Sequence, residues 1–484
     1  MSGTGPLAED RFQHPLVTRY ASDEMLALFS ERTRIRTWRR LWIALAEAEH
    51  ELGVGGVTAA QVTALRDAAD RIDWARAAEL ERELRHDVMA HVHLFAEAAP
   101  EARPILHLGA TSAYVVDNGD QLLMREGLKV VQRKALCVVD RLAGFAERHA
   151  EIPALGWTHF QPAQPTTVGK RACLWIQDLL LDLDEIEERL RAFRLRGLKG
   201  TTGTQASFLS LTGGDHAKVR ELERRILAKV EADRAFPVTG QTYPRKVDAA
   251  WAATLRGVAV SASKFSHDLR LLQHAGEILE PFATRQIGSS AMPYKRNPMR
   301  AERMTGLARL AVQLAGNLDL TAASQWLERT LDDSANKRIA VPELFLTVDS
   351  LLILYHDVAG GLEVQPGAIR RNLERELPFL ASERLLMEAV ERGGDRQALH
   401  ERIRVHAREV AARLEAGESN DLLGRLTSEE GFSGLSESSW KAAGDPSFHV
   451  GRAPEQVREF LQEVVRPRLD GWPGKLEMTG EVRV

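Results

Sequence analysis

The sequence predicts an all-α protein of several domains built on a bundle of long helices. Three observations carry this. The chain has 484 residues, too many for one ordinary hydrophobic core. Apolar residues recur at three- and four-residue steps over long stretches, first at Ala172, Trp175, Leu179, Leu183, Ile186, Leu190 and Phe193, then at Val258, Ala262, Phe265, Leu269 and Leu272. That is the period of a seam between packed helices. Strand-like alternation is scarce. Such seams bury little unless other helices meet them, so a helical bundle shared between subunits is expected.

Hydrophobic residues make up 44% and charged residues 27% of the chain, which is ordinary for a globular protein. A formal charge of -4 gives no electrostatic case for nucleic acid or an anionic membrane as partner. Neither Cys137 nor Cys173 belongs to a Cys-x-x-Cys pair, so both read as small buried residues rather than parts of a disulfide framework or zinc ribbon. The first ten residues lack the basic-then-apolar pattern of a leader. The most apolar run, Leu344 to Tyr355, is broken by Asp349 and is too short to cross a bilayer. A reducing, cytoplasmic location is expected.

Taken in order, residues 13–20 read as an extended entry segment that includes Arg19 and Tyr20. Helical periodicity follows through Trp38, Leu41, Trp42, Leu45 and Ala46 and is broken at Gly53, Gly55 and Gly56. Arg85, His86 and Asp87 then place a cation, a titratable ring and a carboxylate side by side, as at the edge of a site. His91 and His93 do not make this a metal centre. Two histidines chelate from one helix at a spacing of four, and His86 and His93 would lie about 10 Å apart along a helix. His107–Ser112 is a small-residue turn ahead of a helix from about Tyr114 to Arg148. Thr111 and Ser112 could cap that helix, and its free amides would suit an anion.

Thr158–Thr167 reads as a proline-punctuated loop that carries His159 at the head of a core helix, a position suited to proton transfer. Gly197–Ser207 is glycine- and threonine-rich but lacks Gly-Lys-Ser/Thr and is no P-loop. Gln241–Tyr243 leads into another long helix. Between Gln286 and Arg303, Gly288 allows unusual backbone angles, Ser289 and Ser290 supply hydroxyls, and Pro293 and Pro298 exclude helix. Lys295, Arg296, Arg300 and Arg303 follow, a pattern suited to holding and polarising an anion. A helical run then reaches Ala323. Arg329, Ser334 and Arg338 lie in a mixed-charge turn and helix start, and the last long core helix runs to about Val358. Gly360, Gly361, Pro366 and Gly367 mark a boundary, and shorter, more polar helices make a smaller terminal domain beyond it.

The 286–303 stretch resembles the signature loop of the fumarase/aspartase superfamily. Its form, Ser-Ser-Ala-Met-Pro-Tyr-Lys-Arg-Asn-Pro-Met-Arg, is similar to that of the adenylosuccinate lyase family, in the type found in animals. Further matching blocks are Arg85–His93, His107–Ser112, Thr158–Gln164, Lys199–Ser207 and Glu328–Asn336, and the similarity runs from about Pro15 to about Arg458. The resemblance implies a three-domain, all-α fumarase/aspartase-like fold, divided here at 1–111, 112–364 and 365–484. It implies a homotetramer around a shared central bundle, with active sites built from several subunits. The implied reaction is elimination of fumarate from adenylosuccinate and from SAICAR in purine synthesis, with no metal or organic cofactor.

Carried over by motif, Ser289 is the general base and His159 the general acid, with Lys295 stabilising charge. His86 assists, and Glu302 orients an active-site histidine. The choice of Ser289 over Ser290 comes from the motif alone. The implied substrate-binding set is Arg19, Tyr20, Arg85, His86, Asp87, Thr111, Ser112, Gln241, Arg303, Arg329, Ser334 and Arg338. An arginine-rich pocket is what a ligand with a phosphate and two carboxylates requires. Three other readings compete: the same chemistry on a different succinyl compound, a non-catalytic helical scaffold and, weakest because its basic residues are interleaved with acids, a nucleic-acid-binding helical protein. The presence of Arg19, Arg85, Arg329 and Arg338 favours a nucleotide, and retention of His159, Ser289 and Lys295 speaks against a scaffold.

Overall fold

The computed structural model describes residues 10–483; residues 1–9, read above for a leader, lie outside them. Several helices, among them α1 (Glu31–Glu51) and α2 (Asp87–Ala98), precede five long ones: α3 (Ser112–Arg148), α4 (Val168–Arg191), α5 (Lys246–His274), α6 (Met299–Ala323) and α7 (Asp332–Gly360). Two more, α8 (Pro366–Glu391) and α9 (Arg396–Glu415), lead shorter helices. The predicted seams are the bundle's interior. Trp175, Leu179, Leu183 and Ile186 of α4 and Val258, Ala262, Phe265 and Leu269 of α5 are all buried. Phe265 meets Trp175 edge-on at 5.0 Å and stacks on Tyr355 of α7 at 4.3 Å, which locks three helices together.

Among the described residues the fold is all-α apart from two antiparallel two-stranded pieces, β1 (Pro153–Thr158) with β2 (Gln161–Thr167), and β3 (Ile278–Leu279) with β4 (Glu363–Val364), and one isolated bridge. The first corrects an expectation. The segment around His159 is a hairpin rather than an open loop, with Thr158 paired to Gln161. Pro162 and Pro165 are tolerated because each strand of a two-stranded ribbon has one unpaired edge.

Packing cuts across the sequence divisions at 112 and 365. A second core gathers Trp38, Trp42 and Leu45 of α1 with Phe95 and Tyr114, and it also recruits Leu195, Phe208, Leu222 and Ile226 from the segment between α4 and α5. A third core joins Leu385, Leu399, Val410, Leu422 and Phe432. The terminal region is not uniformly short-helical, since α8 has 26 residues. After Ala453 the chain returns to the central bundle, where Val457, Leu461 and Val465 are buried.

Helix α7 also departs from the reading of its apolar run. It is 29 residues long, enough by length and composition to cross a membrane, but 78% of its most apolar window is buried inside the protein. Asp349 within it is wholly buried and forms an ion pair with Lys134 of α3, also wholly buried. The Ser22 amide donates to the second Asp349 oxygen at 2.7 Å, and Lys134 donates to the Ser22 hydroxyl at 3.0 Å.

Glu49 of α1 is buried, and neither carboxylate oxygen has a hydrogen-bond partner among the described residues. Burial pushes its pKa up to about 8. The unfolded chain gives up this proton near the ordinary glutamate value, so stability is greatest below that value and falls as pH rises towards 8. Glu49→Gln is expected to flatten this fall and to raise the melting temperature at pH 8 by more than at pH 5. Parallel pH-melting curves for the two proteins check it.

Candidate active site

The starts of α2, α3 and α7 are joined by side-chain contacts, and the start of α7 lines a cavity. Residues 85–87 form the entry to α2. Arg85 sits in the left-handed region (φ 50°), and His86 is the N-cap, its Nδ1 accepting from the Met89 amide at 3.4 Å. The left-handed residue turns the chain so that the His86 Nε2 lies 3.3 Å from the Ser112 hydroxyl at the start of α3. Thr111 precedes α3 without a capping hydrogen bond, so the capping role open to it in the sequence is not taken up. Asp87 accepts from Arg338 of α7 at 2.8 Å. Burial pulls the Asp87 pKa up, but the Val88 amide and the Arg338 guanidinium outweigh it and hold the carboxyl below its ordinary value.

Arg329, Ser334 and Arg338 line a cavity of about 340 Å³, together with Arg34, Asp120, Arg245, Asp333 and Lys337. Gln241 joins this group through its backbone, donating to the Glu328 carbonyl at 3.0 Å. Gly240 beside it leaves no room for a side chain, since a Cβ would lie 2.5 Å from the same carbonyl. Tyr20 and Arg303, far apart in sequence, are brought together with the guanidinium 5.9 Å from the ring centre. Arg19 is exposed next to them.

Under the cavity lies a polar network that the sequence did not suggest. Arg245 bridges Asp117, at 3.0 and 3.2 Å, and Asp333, at 2.6 Å. Lys337 donates to the Tyr243 hydroxyl at 2.7 Å and lies 3.3 Å from Asp248. Burial alone would lower the Arg245 pKa, but Asp117, Tyr243, Asp248 and Asp333 outweigh it and the guanidinium stays charged. A buried ion needs this degree of pairing. Periodicity could not reveal the network, because charged residues on long helices ordinarily read as a solvent face.

The 286–303 loop folds back on itself. Asn297 donates to the Gly288 carbonyl at 2.7 Å. Gly288 has no positive φ, contrary to the angle-based reading; it is needed because a Cβ would lie 2.2 Å from the Lys295 carbonyl. The two serines differ. The Ser289 oxygen accepts from the amides of Ala291 and Met292 at 3.3 and 3.1 Å, whereas Ser290 is exposed. Two of the four cations are engaged elsewhere, Arg296 with Glu363 at 3.0 Å and Arg300 with Asp357 at 2.9 Å. Lys295 is exposed on the loop. Glu302 is exposed on the first turn of α6, and the buried Glu280 caps that helix by accepting from the amides of Arg300 and Ala301.

His159 lies on a different element from these groups. It is exposed at the β1–β2 turn, which packs towards α8. Among the described residues no hydrogen bond or ion pair joins His159 to Ser289, Lys295 or the arginine-lined cavity. His91 is buried against Trp38 and Trp74, and His93 is exposed. One chain thus presents an arginine-lined pocket, a serine loop and a histidine hairpin on different elements.

This fold and these parts define a lyase of the fumarase/aspartase class. The family model described as "Lyase" matches residues 18–313, and that described as "Adenylosuccinate lyase C-terminus" matches residues 378–460. The chain belongs to the adenylosuccinate lyase family. It is 48% identical over 463 residues to the adenylosuccinate lyase of Saccharomyces cerevisiae, covering 95% of this chain and 96% of that one. It is 45% identical over 478 residues to that of Schistosoma mansoni, covering 98% and 99%. Among solved structures, the 3-carboxy-cis,cis-muconate lactonizing enzyme of Pseudomonas putida is similar with a TM-score of 0.82 and 25% identity, covering 95% of this chain and 100% of that one.

Proposed function

We propose that the protein eliminates fumarate from adenylosuccinate, giving AMP, and from SAICAR, giving AICAR, in purine biosynthesis. The observation that carries this is the cavity in which Arg329, Ser334 and Arg338 gather, in a chain whose relatives named adenylosuccinate lyase match it over nearly its full length. A phosphate-bearing substrate explains a pocket with this many guanidinium groups.

Ser289 takes the proton from the carbon beside a succinyl carboxylate. The electron pair forms the carbon–carbon double bond of fumarate as the carbon–nitrogen bond breaks, and His159 protonates the departing nitrogen. A serine is a weak base in water. The two amides on the Ser289 oxygen and the ammonium of Lys295, six residues on, are suited to stabilise its alkoxide. Tyr20, Arg303 and Arg19 supply further positive charge and contact area, and Arg85, His86, Asp87, Thr111, Ser112 and Gln241 hold the rest of the ligand. An ultraviolet assay of the purified protein with adenylosuccinate, with fumarate identified by chromatography, tests the reaction. A folded protein silent on it would move the reading to another succinyl substrate.

The lack of any hydrogen bond or ion pair between His159 and Ser289 among the described residues of one chain suits a homotetramer whose sites are shared between subunits. Exposed apolar side chains on the bundle helices, such as Leu174 and Leu181 of α4, Leu271 of α5 and Leu320 of α6, suit faces covered by partner subunits. Mixing inactive His159→Ala and Ser289→Ala proteins under subunit exchange is expected to restore part of the activity. No recovery despite demonstrated exchange would place both residues in one subunit.

A further inference from the structure

Arg329 stands on the cavity wall, but the carboxylate nearest to it does not clamp it. Asp333, four residues on in the first turn of α7 and 1% exposed, keeps its Oδ1 3.8 Å from an Arg329 nitrogen, outside hydrogen-bond distance. That oxygen has no hydrogen-bond partner among the described residues. The other oxygen accepts from the Arg245 Nε at 2.6 Å. Arg245 cannot follow Asp333 if it moves, because its two terminal nitrogens are held by Asp117 of α3. Asp117 is itself fixed by accepting from the Tyr243 amide at 2.9 Å.

A guanidinium this near a carboxylate with a free oxygen can close into a charge-assisted hydrogen bond, and the two-pronged form is strongest. Here the closure is blocked. The carboxylate attracts the guanidinium by charge, yet Arg245 holds it back so that the Arg329 N–H groups stay available to a ligand. We infer that Asp333 and Arg245 are positioning residues that hold Arg329 oriented and unclamped for the anionic, phosphate-bearing end of the substrate.

The inference rests on the reading of Arg329 as an anion-binding residue, and the test separates the two. Steady-state kinetics with adenylosuccinate are measured for Arg329→Ala, Asp333→Asn, Arg245→Lys and the double variant Arg329→Ala/Asp333→Asn, with helix content and assembly state checked for each. Lysine keeps the charge at 245 but cannot bridge Asp117 and Asp333 through a planar fork. Asp333→Asn and Arg245→Lys are each expected to raise KM about tenfold, on the scale of one charge-assisted hydrogen bond, with kcat changed by less than about threefold. In the Arg329→Ala background, Asp333→Asn is expected to add less than about twofold, because its effect passes through Arg329.

An unchanged KM in both single variants, or a full additive effect in the double variant, would overturn the positioning role. So would failure of both variants to assemble while Arg329→Ala assembles, since the pair would then be holding the fold. If Arg329→Ala leaves KM unchanged, the anion-site reading itself fails. If Arg329→Ala raises KM and the other two do not, only the positioning inference fails.

Discussion

Replacing Ser289 with alanine is expected to lower kcat by about a thousandfold or more, on the scale of a lost acid–base group, while leaving helix content and assembly unchanged. The structural side of this rests on where the hydroxyl sits. Among the described residues it bonds only to amides of its own loop, at Ala291 and Met292, so its loss leaves no buried group of the core unpaired. The loop keeps its closure through Asn297 and the Gly288–Lys295 contact. Ser290→Ala is the control. Ser290 is exposed beside it, and its loss is expected to cost little turnover. Equal effects at the two positions, or a nearly active Ser289→Ala protein, would remove Ser289 as the base.

The largest effect on stability is expected at Asp349. Its partner Lys134 is wholly buried, and removing the carboxylate strands an ammonium in the bundle core. Breaking such a pair from one side costs about 3–5 kcal/mol. Asp349→Ala is therefore expected to lower the unfolding midpoint in heat and in denaturant. The Ser22 amide, which donates to the same carboxylate, loses its acceptor as well. Replacing both partners, as Lys134→Met with Asp349→Leu, is expected to recover most of the loss, because no unpaired charge then remains. A double variant as unstable as the single one would show that the pair contributes more than mutual neutralisation.

The helical bundle was legible in the sequence because its signal is local. The three- and four-residue steps at Trp175–Ile186 and Val258–Leu269 are the buried faces of α4 and α5. The cavity was legible in part, since Arg329, Ser334 and Arg338 sit within ten residues of one another and must share a helix start. What the pattern could not give was pairing across long separations. Asp117, Arg245 and Asp333 meet from three distant segments, and each alone looks like a surface charge. The same limit hid the return of residues 453–482 to the central bundle and the recruitment of the 195–232 segment to the N-terminal core. At Arg296 and Arg300, composition overstated the free positive charge, because their partners Glu363 and Asp357 are about sixty residues away in the chain.

The hairpin that carries His159 turns through His159 and Phe160, both in the left-handed region, with φ of 56° and 57°. A two-residue turn joining twisted strands asks for this geometry and is filled most comfortably by Asn-Gly. A histidine and a bulky aromatic are held there at a cost on the order of 1 kcal/mol or more each. The turn therefore sets durability against activity. A protein engineer scoring stability alone would rewrite positions 159 and 160 first, and would obtain a tougher protein stripped of its proposed proton donor. Thermostabilised versions of this chain should therefore be sought by changing other turns and keeping this uncomfortable one.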